Sequence, residues 1–184
     1  RLSLATGSAR VADAARAALA FDETLYQPST GDWQDLRDVA AAAPAWCHGA
    51  GGIGLAAADL IRLGFGDRQV HAEVIRRAAA ACWSRGMGFN HSLCHGDLGC
   101  WELLDTAFEL GLAPPGLRRT EVAGYVLASI EKHGPVSGVA RQAFSPGLLP
   151  GLGGVAYQLL RMNPECELGS VLVPGLALAP GAAS

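Results

Sequence analysis

Trp46-Cys47-His48-Gly49-Ala50-Gly51-Gly52-Ile53 and Leu93-Cys94-His95-Gly96-Asp97-Leu98-Gly99-Cys100 are two copies of one turn. Cys47 and Cys94 stand 47 positions apart (94 − 47), and each is followed by His-Gly and a further glycine. A third stretch, Pro150-Gly151-Leu152-Gly153-Gly154-Val155-Ala156-Tyr157-Gln158-Leu159-Leu160, has the same glycine-then-apolar plan. Gly49 to Gly96 is 47 residues (96 − 49) and Gly96 to Gly151 is 55 (151 − 96). A period of about fifty residues with two helices in each is the mark of stacked or ringed helix pairs. The turns then lie together at one end of the array, each opening an inner helix. Glycine is expected in them for close backbone approach and for positive φ.

The apolar spacing is helical along nearly the whole chain. It predicts helices over 7–20 (Val11, Ala15, Ala18, Leu19), 98–111 (Leu98, Trp101, Leu104, Phe108), 117–132 (Val122, Val126, Ile130) and 152–162 (Val155, Leu159, Met162). Ile53, Ala56, Ala57, Leu60 and Leu63 form another, and Val70, Val74, Ile75 and Ala78 a further one capped by Asp67. Gln27-Pro28-Ser29-Thr30-Gly31-Asp32 is turn chemistry. Only Val171-Leu172-Val173 suggests a strand, and Pro174 cuts it short. The expected fold class is therefore all-α.

With 184 residues, half of them apolar, the chain has enough material for one real core. Charged residues make up only 17%, so much of the surface is expected to face other protein. The net charge of −3, without a Lys/Arg-rich run, argues against a nucleic-acid partner or an anionic membrane surface. No apolar run is long enough to span a bilayer. Five cysteines without the spacing of a secreted disulfide scaffold, and no signal peptide, lead to the expectation of a reduced, cytoplasmic protein. The chain opens on Arg1 rather than Met, so residues 1–184 are read as part of a longer polypeptide.

Cys47, Cys94 and His95 are the candidate metal ligands. Two thiols and one imidazole suit Zn²⁺, and three protein ligands leave the fourth tetrahedral position open, as in a catalytic site. The N-terminal ends of the helices are expected to favour thiolate there. The same cysteines could instead be small buried apolar residues in helix-opening turns. Cys82 and Cys100 are read as core, Cys166 as inert, and His71 and His133 as solvated. His91 is a candidate support for a ligand, and Asp97 either caps the helix, the more economical reading, or orients a ligand imidazole.

On these residues the chain resembles the lanthionine synthetase C-like (LanC-like) family, most closely the C-terminal cyclase domain of bifunctional class II (LanM-type) lanthipeptide synthetases. The resemblance rests on both Cys-His-Gly turns, on Gly31-Asp32-Trp33 with Asp35-Leu36-Arg37, on the third glycine turn through Arg161, and on the ending Asn163-Pro164 with Gly169-Ser170-Val171-Leu172. It implies an α/α toroid, two concentric rings of helices, with zinc held by Cys47, Cys94 and His95 at the mouth of the cavity. The implied reaction adds a substrate Cys thiol to dehydroalanine or dehydrobutyrine in a precursor peptide, forming (methyl)lanthionine rings. His48 matches a position proposed as acid/base in the family, and an imidazole suits that work near neutral pH.

The family's upstream His and Asp have no counterpart here. Its Arg just before the first ligand Cys is also absent: Ala41-Ala42-Ala43-Pro44 stands there, and Arg37 is the nearest arginine. The chain thus resembles about three inner/outer helix pairs of a ring, with the remainder of a synthetase as its covalent partner. Two other readings stay open from the residues: a catalytically incomplete zinc- or peptide-binding fragment, and another α/α-toroid zinc enzyme acting on thiols.

Overall fold

The computed structural model describes residues 1–37 and 43–173. Ala41, Ala42 and Pro174, which figured in the sequence reading, lie outside the described residues. The elements in chain order are α1 (Leu2–Thr6), α2 (Ala9–Thr24), β1 (Tyr26–Gln27), β2 (Asp32–Trp33), α3 (Ala50–Arg62), α4 (Arg68–Arg85), α5 (Asp97–Leu110), α6 (Arg119–His133), a 3-10 turn (Ala140–Gln142) and α7 (Leu152–Arg161). The architecture is all-α, an arc of an α/α toroid. Helices α3, α5 and α7 each follow a glycine turn, and α4 and α6 are the returning helices between them.

The glycine turns are built identically. Ideal Cβ atoms on Gly52, Gly99 and Gly154 would lie 2.1, 2.2 and 1.7 Å from the carbonyl oxygens of Trp46, Leu93 and Leu148, each six residues earlier. Gly52, Gly99 and Gly154 also donate their N–H groups, at 3.4 Å, to Ala45, Ser92 and Gly147, each seven residues earlier. The chain folds back onto the first turn of its own helix, and a side chain there would strike backbone. Positive φ plays no part: the capping residues Gly49, Gly96 and Gly151 have φ of −166°, −129° and −104°. The expectation of close approach therefore holds, and that of left-handed backbone is corrected.

Leu55, Ile75, Leu98, Leu103, Leu104 and Val126 are wholly buried between α3, α4, α5 and α6. Each such side chain contributes about 1.5–3 kcal/mol before conformational entropy is set against it. Gly54 lets α3 sit close to its neighbours, because a Cβ there would lie 2.7 Å from the Leu103 methyls and 2.8 Å from Ala78. Asp67 caps α4, its Oδ1 accepting from the N–H groups of Gln69 and Val70.

The helix predicted over 7–20 is found as α2, which starts at Ala9, is capped by Ser8 accepting from the Val11 N–H and runs on to Thr24; the short α1, capped at its end by Gly7 (φ 65°), precedes it. The expected strand is corrected. Val171–Val173 is not a strand. The strands are β1 and β2, which pair antiparallel across the Pro28–Gly31 turn with Tyr26 opposite Trp33. The Asp32 carboxylate takes a hydrogen bond from Arg85 on α4 at 2.9 Å, and Arg77 lies 4.2 Å over the Tyr26 ring. The hairpin is thereby fixed to α4, and the loop after β2 is brought beside the first glycine turn.

Candidate metal centre

The cysteine turns are registered by backbone. The Cys47 N–H donates to the Cys94 carbonyl at 3.3 Å, and the Cys94 N–H donates to the Leu149 carbonyl at 3.0 Å. Positions 47, 94 and 149 are equivalent in the three turns, so the ladder passes from corner to corner of the arc. It stacks two thiols and then a leucine, followed by Pro150 where the other copies have histidine. The third turn thus supplies no donor atom of its own.

The sulfurs of Cys47 and Cys94 and a ring nitrogen of His95 all lie within 4.8 Å of one another. Donor atoms around a tetrahedral zinc are about 3.5–3.8 Å apart, given bonds of roughly 2.0–2.3 Å, so this donor set fits such an ion. The His95 ring is fixed in orientation. Its Nε2–H donates to the Gly138 carbonyl at 2.8 Å, and because a carbonyl can only accept, the lone pair is left on Nδ1. Gly138 is in turn fixed to the third turn by donating its N–H to the Pro150 carbonyl at 2.7 Å. The third copy contributes by placing the group that orients His95.

Gly138 has no room for a side chain: a Cβ would lie 2.6 Å from Ser92 Oγ and 2.7 Å from His95 Nε2. Gly138→Ala is expected to lower the cluster's affinity for a divalent metal by about 10–100-fold, the usual effect of losing the contact that supports a metal-binding imidazole. Competition with a chromophoric chelator measures it; unchanged affinity would remove Gly138 from the centre.

The Cys94 thiol does not ionise by itself at neutral pH. Burial, with a smaller contribution from the Cys47 thiol beside it, holds the Cys94 pKa up to about 12. The expected favouring of thiolate by the helix N-terminus is thus outweighed. A divalent cation reverses the balance, since a coordinated thiol gives up its proton. His48 lies next to Cys47 with its Nδ1 2.9 Å from Cys47 Sγ. Burial first, and the Arg37 charge second, push its pKa below the ordinary histidine value.

Residues 1–172 match the family described as lanthionine synthetase C-like protein. The chain belongs to that family. Within this LanC-like chain, Cys47, Cys94 and His95 form the one group of metal-capable side chains found among the described residues. No helix among those residues is long and apolar enough to cross a membrane.

Other candidate residues fall elsewhere. His91 does not touch the cluster; its Nδ1 accepts from the Val136 N–H at 2.9 Å and its Nε2–H donates to Ser129 Oγ at 3.0 Å. It pins the segment that carries Gly138 and so acts two steps away from the cluster. Asp97 is not a cap: Gly96 occupies that position, and the buried Asp97 carboxylate accepts from the Gly88 N–H at 2.8 Å, tying down the loop before α5. His71 is buried rather than solvated, with Nε2–H donating to the Phe65 carbonyl at 2.8 Å. His133 is exposed, as expected. Cys82 and Cys100 are core residues, both thiols donating to the Pro44 carbonyl at 3.4 Å. Cys166 is half-buried near the end of the described chain.

Gly138, whose carbonyl holds His95, and Asp35 and Arg37, which line the groove past Cys47, belong to none of the cysteine turns that mark the site in the sequence. Gly138 lies 43 residues from His95 (138 − 95) in a segment without a motif, and no local signal could have found it. Asp35-Leu36-Arg37 carried a signal, two opposite charges two residues apart just after a turn.

Proposed function

We propose that residues 1–184 are the C-terminal part of the cyclase domain of a class II lanthipeptide synthetase, acting in the cytoplasm on a dehydrated precursor peptide. The observation that supports this reading best is the meeting of Cys47, Cys94 and His95 within 4.8 Å in a LanC-like chain. In it, Cys47, Cys94 and His95 hold Zn²⁺. When bound, zinc would supply a nucleophilic thiolate from a substrate cysteine at neutral pH. The product is a thioether between that sulfur and the β-carbon of dehydroalanine or dehydrobutyrine, and one proton must return to the α-carbon.

The chain's own residues bind the peptide and handle that proton. A mostly apolar groove of about 1030 Å³ runs past Trp46, Cys47 and His48 between α2 and α3, and the peptide lies along it. His48 faces the Cys47 sulfur and is the proton donor. Its lowered pKa makes the imidazolium a stronger acid while leaving less of it at neutral pH. Five free cysteines suit a reducing compartment. The upstream His and Asp of the family have no counterpart here, so residues 1–184 alone bind metal without turnover, and the remaining helix pairs come from the natural full-length chain.

The test is ring closure on a dehydrated peptide by the natural full-length chain, followed by loss of free thiol. His48→Asn is expected to keep its zinc and to slow ring closure by about 100-fold, within the range for a general acid. Ring closure at an unchanged rate would remove His48 from the chemistry.

A further inference from the structure

The loop after β2 carries an ion pair that the family resemblance does not place in the site. The Arg37 Nε donates to Asp35 Oδ1 and Oδ2 at 2.9 and 3.1 Å, and its Nη2 to Oδ2 at 2.5 Å. The same carboxylate accepts the Arg37 backbone N–H at 2.9 Å. The Asp35 side chain is only 5% exposed, whereas that of Arg37 is 60% exposed. One edge of the guanidinium fork is therefore clamped, and among the described residues the Nη1 edge has no hydrogen-bond partner and can face a ligand. Asp35 and Arg37 line the same groove as Trp46, Cys47 and His48, and the hairpin's attachment to α4 fixes where they stand.

A cation fixed on a mostly apolar groove wall selects an oxygen that becomes negative. Resting on the proposed function, we propose that Arg37 is a catalytic residue that receives the carbonyl oxygen of the dehydro residue under attack, with Asp35 as its positioning residue. As the sulfur–carbon bond forms at the β-carbon, the π pair of the alkene moves toward the carbonyl and leaves an enolate oxygen. Protonation at the α-carbon then restores the carbonyl, so no oxidant or reductant is needed. A preorganised guanidinium opposite that oxygen lowers the barrier more than it tightens binding, because the charge exists only as the bond forms.

The experiment uses the natural full-length chain and a dehydrated peptide that closes a single ring, and measures kcat, KM and zinc content together. Arg37→Gln is expected to keep one zinc per chain and to lower kcat by about 100-fold with little change in KM. Asp35→Asn, which still accepts the Arg37 backbone N–H, is expected to lower kcat less. Should Arg37→Gln fail to fold, Arg37→Lys keeps the charge without the fork and is expected to fold, bind zinc and lose at least about tenfold in kcat. An unchanged kcat, or a rise in KM alone, in the folded variant would overturn the role of Arg37. If the unsubstituted chain closes no ring, the proposed function fails and the role of Arg37 fails with it.

Discussion

Cys94→Ala is expected to leave a folded chain that holds no zinc and closes no ring. The fold should survive because the backbone of residue 94 does the structural work. Its N–H bonds the Leu149 carbonyl and its carbonyl receives the Cys47 N–H, and neither bond needs a thiol. The metal should be lost because Cys47 and His95 alone remain of the cluster's three donors. Loss of a ligand itself is expected to exceed the roughly 10–100-fold effect of losing a supporting contact. Cys100→Ala is the comparison, since its thiol faces the Pro44 and Gly86 carbonyls in the core. That variant is expected to lose stability and keep its zinc. Metal analysis with a helical circular-dichroism spectrum separates the cases, and stoichiometric zinc in Cys94→Ala would contradict the ligand set.

The second large effect concerns the scaffold. Gly99→Ala places a methyl group 2.2 Å from the Leu93 carbonyl oxygen, a backbone atom that can move only by reshaping the turn. The cost is expected to reach about 3 kcal/mol, the upper part of the usual range for overpacking. The distortion falls on the turn that presents Cys94 and His95, so zinc affinity should fall with stability. Gly124→Ala is the control, at a helical position of α6 where a Cβ meets nothing within 4 Å. There the change is expected to stabilise the chain by about 0.5–1 kcal/mol through helix propensity. Denaturant melts of both variants in the natural full-length chain check the contrast. Equal stability of the two would show that the glycine turns are not under the constraint described.

The glycine turns were legible in the sequence because their constraint is local: each clash lies six residues back and recurs three times, so it leaves a repeated mark. The helices were legible through the spacing of their apolar residues, and Asp67 through its place just before one. The β1–β2 hairpin was not, because two-residue strands are too short to show an alternation, and only the turn between them carries a signal. His71 differs from its expectation since an imidazole satisfied by a backbone carbonyl looks, in sequence, the same as one in water. The thiol behaviour of Cys94 depends on burial and on Cys47 beside it, both products of the turn-to-turn ladder. Gly138 illustrates the general case: its carbonyl fixes the His95 tautomer across 43 residues through the bond from its own N–H to Pro150.

Two sulfurs and one imidazole meeting at a single ion are the centre of the proposed function. Zinc-edge X-ray absorption of the purified natural full-length chain tests this most directly. It is expected to show one zinc per chain with two sulfur donors and one histidine nitrogen from the protein, falling to one sulfur or to no metal in Cys94→Ala. A purified chain without zinc, or a zinc shell of four sulfurs or of none, would contradict it.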